Sequence, residues 1–221
     1  MRYKTPEDIA MTDGIHENQR ALVTGAPFGE ATSAMILLHG RGSSAEDIAS
    51  LADALPHKGM AYVAPQAAGN TWYPYRFTEP ILANEPYLSS ALATVGALVE
   101  HLNGQGIASE KIVIAGFSQG ACLAVEFAAR NTQRWGGLLV FSGGLIGKQI
   151  DPARYSGDFA GTPVFIGCDA QDFHIPLARV QETTAGLRAL GAQVTERIYQ
   201  GMGHTISADE IVEAKRVINT L

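Results

Sequence analysis

Five short runs in this chain are apolar at nearly every position rather than at every second one. They are Ala34 to His39, Ala61 to Ala64, Ile112 to Ala115, Leu138 to Phe141 and Val164 to Ile166. A strand with one wet face alternates apolar and polar residues, so an unbroken apolar run needs cover on both faces, as in a parallel sheet between helical layers. Ala21-Leu22-Val23 is a shorter strand candidate, and Val194 to Tyr199 reads as a last strand nearer an edge. Helical periods lie between the runs. Leu88, Ala91, Leu92, Val95, Leu98, Val99 and Leu102 share one face of a long helix. Residues 177–190 form a second helix, ended by Gly191. Ser207 and Glu210 match a capping box, after which Ile211, Ala214, Ile218 and Leu221 face one way. This alternation predicts an α/β fold with a mostly parallel central sheet and helices on both faces. The 221 residues suit a single domain over 1–221, with residues 1–19 as an N-terminal arm or loop leading into the first strand.

One junction carries chemistry. Ile112 to Ala115 runs directly into Gly116-Phe117-Ser118-Gln119-Gly120, and Ala121 to Ala128 then reads as helix. In that context G-x-S-x-G is a nucleophile elbow, a strained turn that stands its serine above the sheet. Glycines on both sides relieve the crowding that a Cβ would cause. Ser118 is therefore the predicted nucleophile. A serine hydroxyl is weak at neutral pH and needs a base, with an acid behind the base to orient it. In elbow hydrolases these follow in the order Ser, Asp, His. His204, in Gly201-Met202-Gly203-His204, stands after the last strand and before the C-terminal helix, which makes it the predicted base. His39 ends an early strand, the wrong place for the base, and His174 follows the acid candidates too closely. His16, His57 and His101 are expected at the surface. Two acids compete: Asp169 is nearer the strand end, whereas Asp172 has more reach, and spacing leaves the choice open. The oxyanion hole needs two N–H donors. Gln119, at the positive start of a helix, supplies one, and Arg41, in His39-Gly40-Arg41-Gly42, supplies the other.

The stretch Asn70 to Phe77 is dense in aromatics. Trp72, Tyr73 and Phe77 are read as substrate-binding walls of an apolar pocket, against an equal claim for plain packing of a long connection. Arg76 could hold a carboxylate, although a surface ion pair is the commoner fate of such a residue. Net charge is −6 and no basic run exists, so a nucleic-acid partner is not expected. The first eight residues have no apolar core for a secretion signal, and no stretch of about 18 apolar residues predicts a membrane span. The expected compartment is the cytoplasm, with Cys122 and Cys168 as buried free thiols. No Cys/His spacing points to a metal site. The chemistry calls for no metal and no organic cofactor. The expected partner is a small-molecule ester, and the chain is expected to act as a monomer or homodimer.

These motifs resemble the phospholipase/carboxylesterase family of α/β-hydrolases, which includes the acyl-protein thioesterases. The matching stretches are Leu37 to Gly42, Ala64 to Ala67, Gly116 to Ala121, Phe141 to Gly144, Asp172 to Pro176 and Gly203-His204. The resemblance implies the α/β-hydrolase fold, Ser118 as nucleophile, His204 as base, and Arg41 and Gln119 as oxyanion donors. It also chooses between the acids, implying Asp172, four residues before Pro176; Phe173 stands where the family commonly has proline. The implied activity is that of a serine carboxylesterase acting through an acyl-enzyme. Acyl-protein thioesterase or lysophospholipase activity is the alternative, and a non-catalytic binding protein on the same fold is a third possibility.

Overall fold

The computed structural model, which describes residues 2–4, 14–16 and 19–221, makes a buried strand of each unbroken apolar run. The strands are β1 (Arg2–Lys4), β2 (Ala21–Gly25), β3 (Ser33–Leu38), β4 (Met60–Pro65), β5 (Ile112–Phe117), β6 (Gly137–Phe141), β7 (Pro163–Asp169) and β8 (Gln193–Tyr199). They form one sheet in the order β1-β2-β4-β3-β5-β6-β7-β8. From β4 across to β8 every neighbouring pair is parallel. β1 and β2 are antiparallel additions at one edge.

The strand period of two divides the apolar runs between two core layers. On one face Ala34, Ile36 and Leu38 join Ile114 and Val140. Against them lie α3 (Tyr87–Gly104), α4 (Gln119–Arg130) and α5 (Leu177–Ala189). On the other face Met35, Leu37, Val113 and Leu139 meet α1 (Ala45–Ala49), α2 (Leu51–Ala54) and α6 (Ala208–Ile218). Each valine, leucine, isoleucine or methionine among them, once fully buried, contributes roughly 1.5–3 kcal/mol of transfer free energy. Among the described residues, no helix is long and apolar enough to cross a membrane.

Two expectations for the N-terminal segment need correction. Arg2–Lys4 is a strand paired antiparallel with β2 rather than part of an arm. His16 is fully buried rather than at the surface: its Nδ1 accepts the Ala68 amide, and its Nε2 lies 2.9 Å from the Trp72 carbonyl. The arm expected over residues 1, 5–13, 17 and 18 lies outside the described residues.

Parallel strands end at a common edge, where β-to-α loops gather and where open α/β sheets bind ligands. The loops after β3, β5, β7 and β8 carry Arg41, Ser118, Asp172 and His204.

The last helix, α6, opens with the expected capping box. Ser207 Oγ accepts the Glu210 amide at 3.2 Å, and Glu210 Oε2 accepts the Ser207 amide at 2.7 Å. The other carboxylate oxygen, Oε1, is buried without a hydrogen-bond partner among the described residues. It lies so close to β7 that a Cβ on Gly167 would approach it to 2.2 Å. Burial pushes the Glu210 carboxyl up from 4.5 to about 7. The folded state then binds this proton more tightly than the unfolded chain. Its contribution to stability is complete below pH 4.5 and is lost as pH rises to about 7. Glu210→Gln keeps the cap without the charge, so its gain in Tm over the parent should be larger at pH 8 than at pH 5. At about 1.4 kcal/mol per pKa unit the difference is at most about 3 kcal/mol. Equal gains at the two pH values would sink this account.

Candidate active site

Ser118 has φ 55° and ψ −117°, a left-handed backbone that side chains rarely adopt. The turn is held from both sides, since the Ser118 amide donates to the Phe141 carbonyl at 2.9 Å and the Ser118 carbonyl accepts from Cys122 at 3.0 Å. Strain of this kind persists only where the surroundings over-determine it. The flanking glycines are sterically required. A Cβ on Gly120 would sit 2.0 Å from the Leu38 carbonyl oxygen, and one on Gly116 would sit 2.4 Å from the Gly120 backbone.

The three residues expected to act together lie far apart in sequence and adjacent in space. His204 Nε2 is 2.8 Å from Ser118 Oγ, and His204 Nδ1 is 2.7 Å from Asp172 Oδ2. The Asp172 carboxyl is held below its usual range. Burial alone would raise it, but the His204 hydrogen bond and the amides of His174 and Ile175 on Oδ1 outweigh burial. An ionised carboxylate can only accept, so Nδ1 carries the proton and the Nε2 lone pair faces the serine hydroxyl. The Cys168 thiol also reaches Asp172 Oδ2, at 3.8 Å. The His204 ring is flanked by Phe117 at 4.9 Å and by His174, edge-on, at 4.7 Å between ring centres.

Asp169, the other acid candidate, does not reach the imidazole but holds its loop. Its Oδ2 accepts the amides of Met202 and Gly203, and its Oδ1 accepts that of Gln171. The Gln171 amide foremost, and then those of the 201–203 loop, lower its carboxyl pKa. The backbone amides of Arg41 and Gln119 form no hydrogen bond to another described residue. For Gln119 this follows from its place at the start of α4, where the first amides have no intrahelical partner.

A cavity of about 540 Å³ opens beside Ser118, lined in part by Tyr73, Phe77, Cys122 and Ile175. Two of the three expected wall residues, Tyr73 and Phe77, border it. Trp72 does not: it is fully buried behind the wall, where its indole Nε1 donates to the His39 carbonyl at 2.9 Å. The wider connection is stapled to the elbow by the Gln119 side chain, whose Oε1 accepts the Trp72 amide at 2.9 Å and whose Nε2 donates to the Tyr73 carbonyl at 2.8 Å. The Arg41 guanidinium adds donations to the carbonyls of Pro74 and Tyr75.

His39, set aside as a base, is fully used elsewhere. Its Nε2 accepts the Ala67 amide at 3.1 Å, so Nδ1 is the donor to the Gly40 carbonyl at 2.7 Å. Burial lowers the pKa of both His16 and His39, and each needs a neutral ring to accept a backbone amide. The supporting roles of Asp169, His39 and the Gln119 side chain escaped sequence reasoning. In sequence Asp169 is weighed only as an acid and Gln119 only for its amide, and the one available signal was a polar residue beside each of these loops.

A family profile described as Phospholipase/Carboxylesterase matches residues 20–221. The fold superposes on the crystal structure of a phospholipase/carboxylesterase from Dyadobacter fermentans with a TM-score of 0.88 and 46% identity, covering 90% of this chain and 95% of that one. The crystal structure of esterase PE8 matches with a TM-score of 0.74 and 26% identity, covering 90% of this chain and 97% of that one. Acyl-protein thioesterase 1 of Gibberella zeae is 29% identical over 120 residues, which are 53% of this chain and 51% of that protein, so the match spans about half of that relative's length.

Proposed function

We propose that this chain, which belongs to the phospholipase/carboxylesterase family, is a serine hydrolase that cleaves carboxylic esters through an acyl-enzyme. The observation that carries the reading is the unbroken hydrogen-bonded line from Ser118 through His204 to the buried Asp172, at 2.8 and 2.7 Å, with Ser118 and His204 on the rim of the cavity. In the proposed cycle Ser118 Oγ attacks the ester carbonyl carbon while His204 Nε2 takes the hydroxyl proton. The Arg41 and Gln119 amides receive the oxyanion of the tetrahedral intermediate. The C–O bond to the alcohol breaks, and the alcohol leaves with the proton held by His204. Water then attacks the acyl-enzyme and gives one proton to His204, which passes it to Ser118 Oγ as the acid departs. Asp172 keeps the imidazole in the required tautomer and stabilises its charged form.

The alternative of a long-chain thioesterase rests on the likeness to acyl-protein thioesterase 1. The same three residues would serve, with a longer acyl channel and a surface for protein. A small-molecule ester is favoured by a cavity of about 540 Å³, a size suited to small ligands. Two buried free thiols fit the cytoplasm, a reducing compartment. A fluorophosphonate probe should label Ser118 in the folded protein, and turnover of p-nitrophenyl esters from acetate to palmitate should peak at short chains. No labelling would leave a binding protein as the better reading, whereas a palmitate optimum would favour the thioesterase.

A further inference from the structure

The cavity beside Ser118 is cationic, although the chain as a whole carries a net charge of −6. Arg41 and Arg76 line it, and no carboxylate does. Its thiol and phenol add no negative charge: burial pushes Cys122 up to about 12 and Tyr73 well above the usual tyrosine range. The two guanidinium groups differ in how far they are already used. Arg41 donates from both terminal nitrogens to loop carbonyls. Arg76 makes one long contact, from Nη2 to the Phe173 carbonyl at 3.5 Å, and no ion pair with another described residue.

The backbone beneath Arg76 is nevertheless fixed. Asn84, fully buried, donates through Nδ2 to the Arg76 carbonyl at 3.2 Å and accepts the Tyr75 amide at 2.8 Å. A planar five-donor group with most donors open, carried on a pinned loop, suits bidentate capture of a carboxylate. A second, weakly engaged hydroxyl borders the same cavity: the buried Tyr73 phenol has only the Cys122 thiol beside it.

We propose that the ester taken by this site carries a second, ionised carboxylate a few bonds from the scissile carbonyl, and that Arg76 receives it; this rests on the ester-hydrolase reading above. The neutral part of the substrate lies along Tyr73 and Phe77, while its charge stays at the Arg76 side.

The test compares charged and neutral esters of matched size by pH-stat. Monoethyl adipate against ethyl hexanoate puts the charge on the acyl side, and O-butyrylglycolate against ethyl butyrate puts it on the alcohol side. In the parent protein kcat/KM should favour the charged member of at least one pair by about tenfold or more, and the preference should shrink as salt rises. Arg76→Gln should erase that preference, and Arg76→Lys should restore part of it. Arg188→Gln, which removes a cation near the start of β8 at the far end of the strands, should leave the ratio unchanged. Equal kcat/KM within both pairs, or a preference that survives Arg76→Gln, overturns the proposal. Failure of every ester together with failure of fluorophosphonate labelling instead overturns the hydrolase reading beneath it, and this proposal falls with it. Labelling with equal turnover removes only the carboxylate.

Discussion

Ser118→Ala is expected to lower kcat for a short p-nitrophenyl ester by about 10⁶-fold, the scale seen when the serine of a comparable triad is removed. The nearest thiol cannot replace the proposed nucleophile. Cys122 is the closest thiol along the chain, and its burial keeps it protonated. The fold should barely register the change. Among the described residues the Ser118 side chain hydrogen-bonds to His204 alone, and the bonds that hold the turn, to Phe141 and Cys122, use the backbone. Alanine inherits the positive φ with its strain, so Tm should stay close to the parent value. Ser118→Gly should also be inactive, and at least as stable as Ser118→Ala, because glycine adopts φ 55° without penalty. Circular dichroism melts and single-turnover assays with both variants check this. Hydrolysis by Ser118→Ala within a hundredfold of the parent would remove Ser118 from the mechanism.

Legibility in the sequence follows from range. Strand and helix positions were readable because burial on a sheet or helix face repeats every two or 3.6 residues, a purely local record. Thus Leu88 to Leu102 marked α3, and Ser207 with Glu210 marked the start of α6. The elbow was readable for the same reason: strand, glycines, serine and helix are contiguous. Contacts across the chain leave no such trace. Nothing around His16 announces that Trp72 and Ala68 will cover it from more than fifty residues away. Trp72 and Tyr73 are neighbours of similar character, yet one borders the cavity and the other packs behind it, because the Gln119 side chain and the His39 carbonyl fix the turn of the backbone between them. Residues 2–4 are too few and too polar to signal a strand. They pair because the outer edge of β2 offers them unpaired backbone groups.

The two aspartates after β7 were inseparable by spacing, and substitution should now separate them sharply. Asp172→Asn is expected to lower kcat by on the order of 10⁴. An asparagine can present its amide N–H to His204 Nδ1, which moves the imidazole proton to Nε2. The atom facing Ser118 then donates where it must accept. The folded carboxyl is also depressed. Its stabilising contribution is therefore present above the ordinary aspartate value of 3.8 and lost as pH falls through the lower folded value, so the stability advantage of the parent over Asp172→Asn should shrink as pH falls below 3.8. Asp169→Asn works by another route. It weakens acceptance of the Met202, Gly203 and Gln171 amides while leaving His204 its own carboxylate, so the loop loosens but the tautomer survives. The expected result is a lower Tm with a loss in kcat of about 10- to 100-fold, the scale of misplacing a catalytic group by about an ångström. If Asp169→Asn proved the more damaging to kcat with Tm unchanged, the two aspartates would have to exchange roles. The hydrogen bond of 2.7 Å between Asp172 and His204 would then be a packing contact rather than part of the chemistry.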